Sequence, residues 1–342
     1  MSGTEERYNR HHILEAIGKD GQERLIRSKV LIVGCGALGT HSAEYLARGG
    51  VGELRLVDRD FVDWSNLQRQ IGFTEEDARN GAPKALALKK HLEKVNSSIT
   101  IVAEPTEFQF FNAEKLARDV DLIIDASDNI PTRFLINDLS WKLSIPWIYG
   151  GAIETRGHAL FLSGRDGPCL RCYMGEPPPP GTLETCDTAG VLGPAVAMVS
   201  SIQASMAIRS LTEEEPELFC GRLFRLDAWK MEWKESRIES DPECRVCSHG
   251  SFDFLDGKGQ LNSESLCGRQ AVQVHPRSPN HIDLQALARR LKSAGKVECH
   301  SRYLRLTTED FAMTLFDDQR AIFDGLTDAS KARSLYSRYV GD

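Results

Sequence analysis

Lys29-Val30-Leu31-Ile32-Val33 is an apolar run that breaks into a glycine-rich turn, Gly34-Cys35-Gly36-Ala37-Leu38-Gly39. A second apolar run, Leu54-Arg55-Leu56-Val57, ends on Asp58, 19 positions past Gly39. A strand, a glycine turn, a helix and a second strand closed by a carboxylate make up the dinucleotide-binding fingerprint. Gly34, Gly36 and Gly39 permit a tight turn and close approach of backbone to phosphate, and Asp58 suits ribose hydroxyls. The next stretch lies outside that fingerprint. Asn66 and Arg69, in Asn66-Leu67-Gln68-Arg69-Gln70, and Lys84, after Pro83, are groups suited to a triphosphate. An ordinary NAD-type half has no need of them there, so these residues point to ATP chemistry rather than hydride transfer.

Outward from this unit, strands and helices alternate to about residue 150. Residues 7 to 27 form a short helical arm, and a helix is expected from about Thr40 to Arg48. Another follows Pro83, with Ala85, Leu88, Leu92 and Val95 at helical spacing. Thr100 to Ala103 is a third strand, Asp121 to Ala126 a fourth and Ile145 to Gly150 a fifth. The fourth is almost unbroken in its apolar character, as in a buried parallel strand. Ser127-Asp128-Asn129 then stands at its C-terminal end, where open α/β sheets bind ligands. Beyond Gly151 the pattern changes to an antiparallel strand (His158 to Leu162), a buried helix (Val191 to Leu211) and a further strand (Leu223 to Trp233). A composition shift near residues 250 to 264 marks a boundary. The remainder carries helix patterns at Leu284–Ala294 and Ala329–Tyr339 with short strands. The fold class is therefore α/β. A Rossmann-like, mostly parallel sheet continues into antiparallel strands (residues 1–250), and a small C-terminal α+β module follows (264–342).

The 342 residues suffice for one large and one smaller domain, and 41% hydrophobic with 27% charged residues is ordinary for a globular chain. A net charge of −7 argues against a nucleic-acid binder. No apolar stretch approaches the ~18 residues of a membrane span, and the N-terminus lacks a signal-peptide core. Four of the nine cysteines form two CxxC pairs, which fits a metal site in a reducing compartment and a cytoplasmic location.

Those pairs, Cys169-Leu-Arg-Cys172 and Cys244-Arg-Val-Cys247, supply four thiolates of the kind that hold structural zinc, although 71 residues separate them. A redox CxxC or unrelated buried thiols are the plainer readings. Cys186 follows Pro177-Pro178-Pro179-Pro180-Gly181, a stretch that cannot be a helix or central strand. It is either an exposed reactive thiol or a spare surface cysteine. Cys35, Cys220, Cys267 and Cys299 are treated as structural. Asp128 could hold Mg²⁺ through oxygen, or serve as the N-cap of a helix from Ile130.

Taken in order, these motifs resemble the ThiF/MoeB branch of the ubiquitin-activating-enzyme superfamily. The resemblance covers residues 7 to about 250. It rests on Arg7-Tyr8-Asn9-Arg10, Gly34–Gly39, Asp58, Ser65 to Gln70, Pro83-Lys84, Ser127-Asp128-Asn129, both CxxC pairs, and Cys186 ahead of Thr188 to Pro194. It implies an enzyme that uses MgATP to adenylate the C-terminal glycine of a ubiquitin-like sulfur carrier protein, ThiS-like or MoaD-like, releasing pyrophosphate. It further implies a homodimer in which Arg10 reaches the partner's ATP, a zinc site at the four cysteines, and a cysteine desulfurase as a further partner. Catalytic roles fall on Arg10, Arg69, Lys84, Asp128 and Cys186, the last as a covalent attachment point in some members. The tail, with Cys267-Gly268-Arg269-Gln270 and Leu315 to Ile322 ahead of Leu335 to Gly341, resembles the extension of Gram-positive-type ThiF proteins. Gln319 stands there where the family commonly has glycine. The expected activity is adenylation of a carrier for thiazole (thiamine) biosynthesis. The nearest alternative is the same reaction on a molybdopterin-synthase carrier. More distant readings are an NAD-dependent oxidoreductase and a non-catalytic carrier scaffold.

Overall fold

A computed structural model describes residues 6–178, 189–213, 219–258, 271–274, 282–300, 302–317 and 319–341. The chain divides into two compact units, Met1–Gly259 and Gln260–Asp342.

The first unit is built on eight strands: β1 Lys29–Val33, β2 Glu53–Val57, β3 Thr100–Glu104, β4 Leu122–Asp125, β5 Trp147–Ile153, β6 Arg156–Leu162, β7 Arg222–Asp227 and β8 Glu232–Arg237. They lie in the order β3-β2-β1-β4-β5-β6-β7-β8. β3 to β5 pair in parallel, and β6, β7 and β8 join in antiparallel fashion. Its helices are α1 Asn9–Ile13, α2 Gly18–Arg27, α3 Ala37–Gly49, α4 Glu75–Asn80, α5 Lys84–Val95, α6 Phe110–Leu116, α7 Ile130–Leu143, α8 Leu170–Met174 and α9 Gly193–Thr212.

Alternate side chains of each strand enter opposite cores, as the pleat requires. Val30, Ile32, Leu122 and Ile124 pack with Leu46 of α3, Leu88 of α5 and Val199 of α9. Leu31, Val33 and Ile123 pack with Leu116 of α6 and Phe134 and Leu139 of α7. A sheet covered on both faces explains why β4 is buried at every position. The apolar, small-residue stretch before residue 212 is the buried helix α9, which packs on α3, β5 and β6.

One expectation fails in detail. Leu223 to Trp233 is not a single strand but the first arm, the turn and the start of the second arm of the β7–β8 hairpin. Asp227 causes the reversal: its carboxylate accepts the amides of Trp229 and Lys230, and Met231 turns with φ 56°. Hydrophobic alternation continues across the turn because Trp229, Met231 and Trp233 are exposed, not buried. No helix among the described residues is long and apolar enough to cross a membrane.

The second unit comprises β9 Ala271–Val274, α10 Leu284–Leu291, β10 Lys296–Cys299, β11 Tyr303–Thr307, β12 Ala312–Phe316, β13 Ala321–Asp324 and α11 Ala329–Tyr339. Its antiparallel sheet runs β10-β11-β12-β13-β9 and carries its own core, with Leu287, Leu291, Leu306, Leu315, Phe323 and Tyr336. Asp283 and Asp328 cap the two helices through their side chains. Gln319, ahead of β13, takes φ 67°, the left-handed region that favours glycine.

Candidate active site

Strand order reverses on either side of β1, so the loops after β1, β2 and β4 open onto one crevice. The three glycines of the first loop do different work. Gly34 has φ +97°, and a Cβ there would stand 2.5 Å from the Ala126 carbonyl oxygen. At Gly39 a Cβ would stand 1.9 Å from the Gly34 carbonyl oxygen. Both are glycine because the protein's own backbone passes too close. Gly36 is different: the nearest atom is Gln70 Nε2 at 3.9 Å, so the protein leaves room there. That room lies at the N-terminus of α3, where unpaired amides favour an anion. Gln70 itself is 4% exposed, and its Oε1 has no hydrogen-bond partner among the described residues. Open space at a helix N-terminus fits a bound phosphate group.

Asp58 closes the crevice from β2. Its carboxylate accepts the amides of Cys35 at 2.6 Å and Asp60 at 2.7 Å. The Cys35 amide, which belongs to the turn expected to face phosphate, is therefore spent on Asp58. Burial pushes the Asp58 carboxyl up, while Lys84 pulls it back. Burial likewise drives the Cys35 thiol well up, consistent with a structural cysteine.

Lys84 reaches the same place from the start of α5. Residues 60 to 62 are held against 82 to 84 by Lys84 N–H to Asp60 C=O (2.8 Å) and Val62 N–H to Ala82 C=O (2.8 Å). Its Nζ lies 3.3 Å from Asp60 Oδ2, and the residue is only 8% exposed. Burial presses the ammonium towards neutrality, but the carboxylates of Asp60, Asp58 and Asp128 outweigh it and hold the pKa above its ordinary value. Lys84 is thus a fixed, buried positive charge. Asp60, two residues past Asp58 at the strand's end, has no motif of its own in the sequence.

The segment between these residues is tightly folded. Asn66 Oδ1 accepts the Asp63 amide at 3.0 Å while Asp63 Oδ1 accepts that of Ser65 at 2.9 Å. Asn66 therefore shapes the loop as well as offering its Nδ2. Arg69 is half-buried, donates to the Ser65 carbonyl at 2.8 Å, and has its Cβ close to Gly193 at the start of α9.

Asp128 is exposed beyond the end of β4. It is not the helix cap. Asn129 takes that role, accepting the Thr132 amide at 2.9 Å, because α7 begins at Ile130 and the cap is the residue just before it. Asp128 is left facing the lysine side of the crevice. Arg10 is exposed on α1. Cys186 and Cys267 lie outside the described residues.

The four CxxC cysteines come from segments after β6 and β8, and their sulfurs all lie within 4.8 Å of one another. Cys169 and Cys244 Sγ are 3.5 Å apart, Cys172 and Cys247 Sγ 3.4 Å. Tetrahedral zinc with bonds of about 2.3 Å requires sulfurs roughly 3.8 Å apart, so this donor set fits it. The Asp241 amide points at Cys172 Sγ, 3.4 Å away, an outer contact of the kind that supports a thiolate ligand.

The layer behind Asp128 carries no motif in the sequence. Asp125 is wholly buried and pairs with Arg133, while Tyr149 and His158 stack with their hydroxyl and Nε2 2.8 Å apart. Burial pulls His158 down to about 4, so the ring is neutral at pH 7. Each residue is unremarkable in sequence, and only the register of β4, β5 and β6 brings them together.

A doubly wound sheet with this crevice and a buried, charged lysine beside the ribose-type carboxylate defines a nucleotide-dependent enzyme. The chain belongs to the ThiF family, whose model matches residues 8–246. It is 38% identical over 339 residues to the Bacillus subtilis (strain 168) protein "Sulfur carrier protein ThiS adenylyltransferase", covering 98% of this chain and 99% of that one. That match runs through the second unit as well as the first. The "Sulfur carrier protein adenylyltransferase" of Thermus thermophilus is 38% identical over 268 residues, 77% of this chain and 96% of the relative. Among solved structures, E. coli MccB with MccA-N7isoASN shares the fold, with a TM-score of 0.63 and 22% identity over 72% of this chain and 75% of that one. The α/β expectation is borne out, and family membership sets the oxidoreductase reading aside.

Proposed function

We propose that this enzyme uses MgATP to adenylate the C-terminal glycine carboxylate of a ubiquitin-like sulfur carrier protein, and that the carrier serves thiazole (thiamine) biosynthesis. The observation that carries the reading is Lys84, buried yet held charged by Asp58, Asp60 and Asp128, beside the open space at Gly36. A C-terminal carboxyl of pKa about 3.5 is already ionised at pH 7, so no general base is needed. The work is to bring two anions together and to stabilise the charge that builds on phosphate. Asp58 takes the ribose, and Asn66, Arg69 and Lys84 hold phosphate. A carboxylate oxygen of the carrier attacks the α-phosphorus, the bond to the bridging oxygen breaks, and pyrophosphate leaves. Asp128 is the oxygen donor for Mg²⁺, which when bound offsets charge on the phosphates. Arg10 supplies a further cation across a homodimer, and Cys186 is the residue for a covalent link to the activated carrier.

Zinc at Cys169, Cys172, Cys244 and Cys247 is structural, since four protein thiolates leave no open position. A cysteine desulfurase as sulfur source and a cytoplasmic location complete the proposal. The thiamine-type carrier is favoured over the molybdopterin-type one by similarity to the Bacillus protein along the whole chain. Incubation with ATP and each purified carrier, followed by mass spectrometry, tests the assignment. The thiamine-pathway carrier should gain one AMP. AMP on the molybdopterin-type carrier alone would reverse the choice, and AMP on neither would remove the reading.

A further inference from the structure

We infer that Arg133, working through Asp125 and Ser127, is a positioning residue that fixes the carboxylate of Asp128 for metal-bound nucleotide. The inference rests on the reading above, in which Asp128 holds the metal. Asp125 ends β4 and is wholly buried. A charge so placed is costly unless it is paired and hydrogen-bonded. Arg133, one turn into α7, supplies the pairing, with Nε 3.5 Å from Asp125 Oδ2. Ser127 supplies the bonds, donating its amide (2.9 Å) and hydroxyl (2.6 Å) to Asp125 Oδ1.

The same guanidinium reaches beyond the pair. Its Nη2 donates to the Ser127 carbonyl at 2.9 Å and to the Gly150 carbonyl of β5 at 3.2 Å. Nη1 donates to the Tyr149 hydroxyl at 3.3 Å, and Cζ lies 4.9 Å from the centroid of the Tyr149 ring. Ser127 is therefore held at its amide, its hydroxyl and its carbonyl. On the other side, Asn129 is fixed as the cap of α7. Between these anchored neighbours stands Asp128, exposed, with no hydrogen bond to its carboxylate among the described residues. A turn immobilised on both sides fixes the Cα–Cβ direction from which the one free carboxylate projects, and so narrows where its oxygens can go. Only a planar fork can serve Asp125, two carbonyls and a ring at once; a lysine offers a single point of charge.

The test measures metal binding rather than turnover. Mn²⁺ is titrated into the full chain with a non-hydrolysable ATP analogue and followed by electron paramagnetic resonance. Arg133→Lys should weaken Mn²⁺ binding about tenfold, as loss of outer-layer partners generally does. Metal-free analogue binding and the unfolding temperature should stay close to the parent. Asp128→Ala should abolish the protein-dependent Mn²⁺ site. If Arg133→Lys binds Mn²⁺ like the parent while Asp128→Ala does not, the positioning role is wrong and the metal assignment stands. If Asp128→Ala itself binds Mn²⁺ like the parent, the metal assignment is wrong. Should Arg133→Lys fail to fold, Asp125→Asn with Arg133→Met removes the pair without leaving an orphan charge and carries the same expectation.

Discussion

The crevice and the cysteine cluster are both knots of polar side chains, yet they are built on opposite plans. At the cysteines the donors face one another: four sulfurs within 4.8 Å, closed on themselves. At the crevice the groups face outward, with Asp128 exposed and Gly36 fronting open space. A closed set holds segments of chain together. An open set waits for something to complete it. On this account stability resides mainly in the first and chemistry in the second, and substitutions should separate them.

The largest effect is expected at the closed set. Cys244→Ser, or prolonged exposure to a chelator, should lower the unfolding temperature by on the order of 10 °C or more, because the zinc proposed there would contribute folding free energy directly. Exchange activity should fall only as the folded fraction falls. A Cys244→Ser protein of unchanged stability would contradict the division.

Lys84→Ala comes next, and its effect should be on rate. Loss of a preorganised charge at the reacting phosphate costs roughly 10²- to 10³-fold in turnover. Steady-state assays set beside thermal melts will show whether the loss occurs in folded protein.

The third test is pH. Asp138, on α7, accepts the Phe254 amide at 2.8 Å and so belongs to the structural side, tying down chain just past the second CxxC pair. Burial lifts its carboxyl to about 6, against the pull of the Phe254 amide and Arg171. The folded state then keeps a proton that the unfolded chain, at about 3.9, has lost. Stability should therefore decline as pH rises from about 4 to about 6 and level off above, by at most about 3 kcal/mol. Asp138→Asn should flatten that slope in denaturant titrations. An unchanged slope would show that another group sets it.

The smallest effect tests the openness of the crevice. Gly36→Ala meets nothing of the protein closer than 3.9 Å, so melting should be unaltered. The KM for ATP should rise about tenfold if phosphate needs that space, a cost near 1.4 kcal/mol. An unchanged KM would place the phosphates elsewhere.

Much of this was legible in sequence because it is written in local spacing. The glycine turn, Asp58 and the four cysteines announce themselves by pattern, and the unbroken β4 run by its two-sided burial. Other parts depend on contacts distant in sequence. Asp60 matters only because residues 82 to 84 pair back onto it. Arg133, Tyr149 and His158 meet through strand register. The β7–β8 turn was hidden because exposed tryptophans continued the apolar alternation past Asp227. Asp128 and Asn129 are both good capping residues in sequence, and only the start of α7 at Ile130 gives the cap to Asn129 and leaves Asp128 available.

Lys84 and Asp128 are proposed to serve nucleotide chemistry in a protein held together elsewhere. Carrier-dependent exchange of labelled pyrophosphate into ATP tests it most directly, with parent, Lys84→Ala, Asp128→Ala and Cys244→Ser compared per folded molecule. Exchange is expected in the parent, lost in both crevice variants, and near the parent's in the folded fraction of the cysteine variant. Exchange that survives Lys84→Ala and Asp128→Ala unchanged would contradict it.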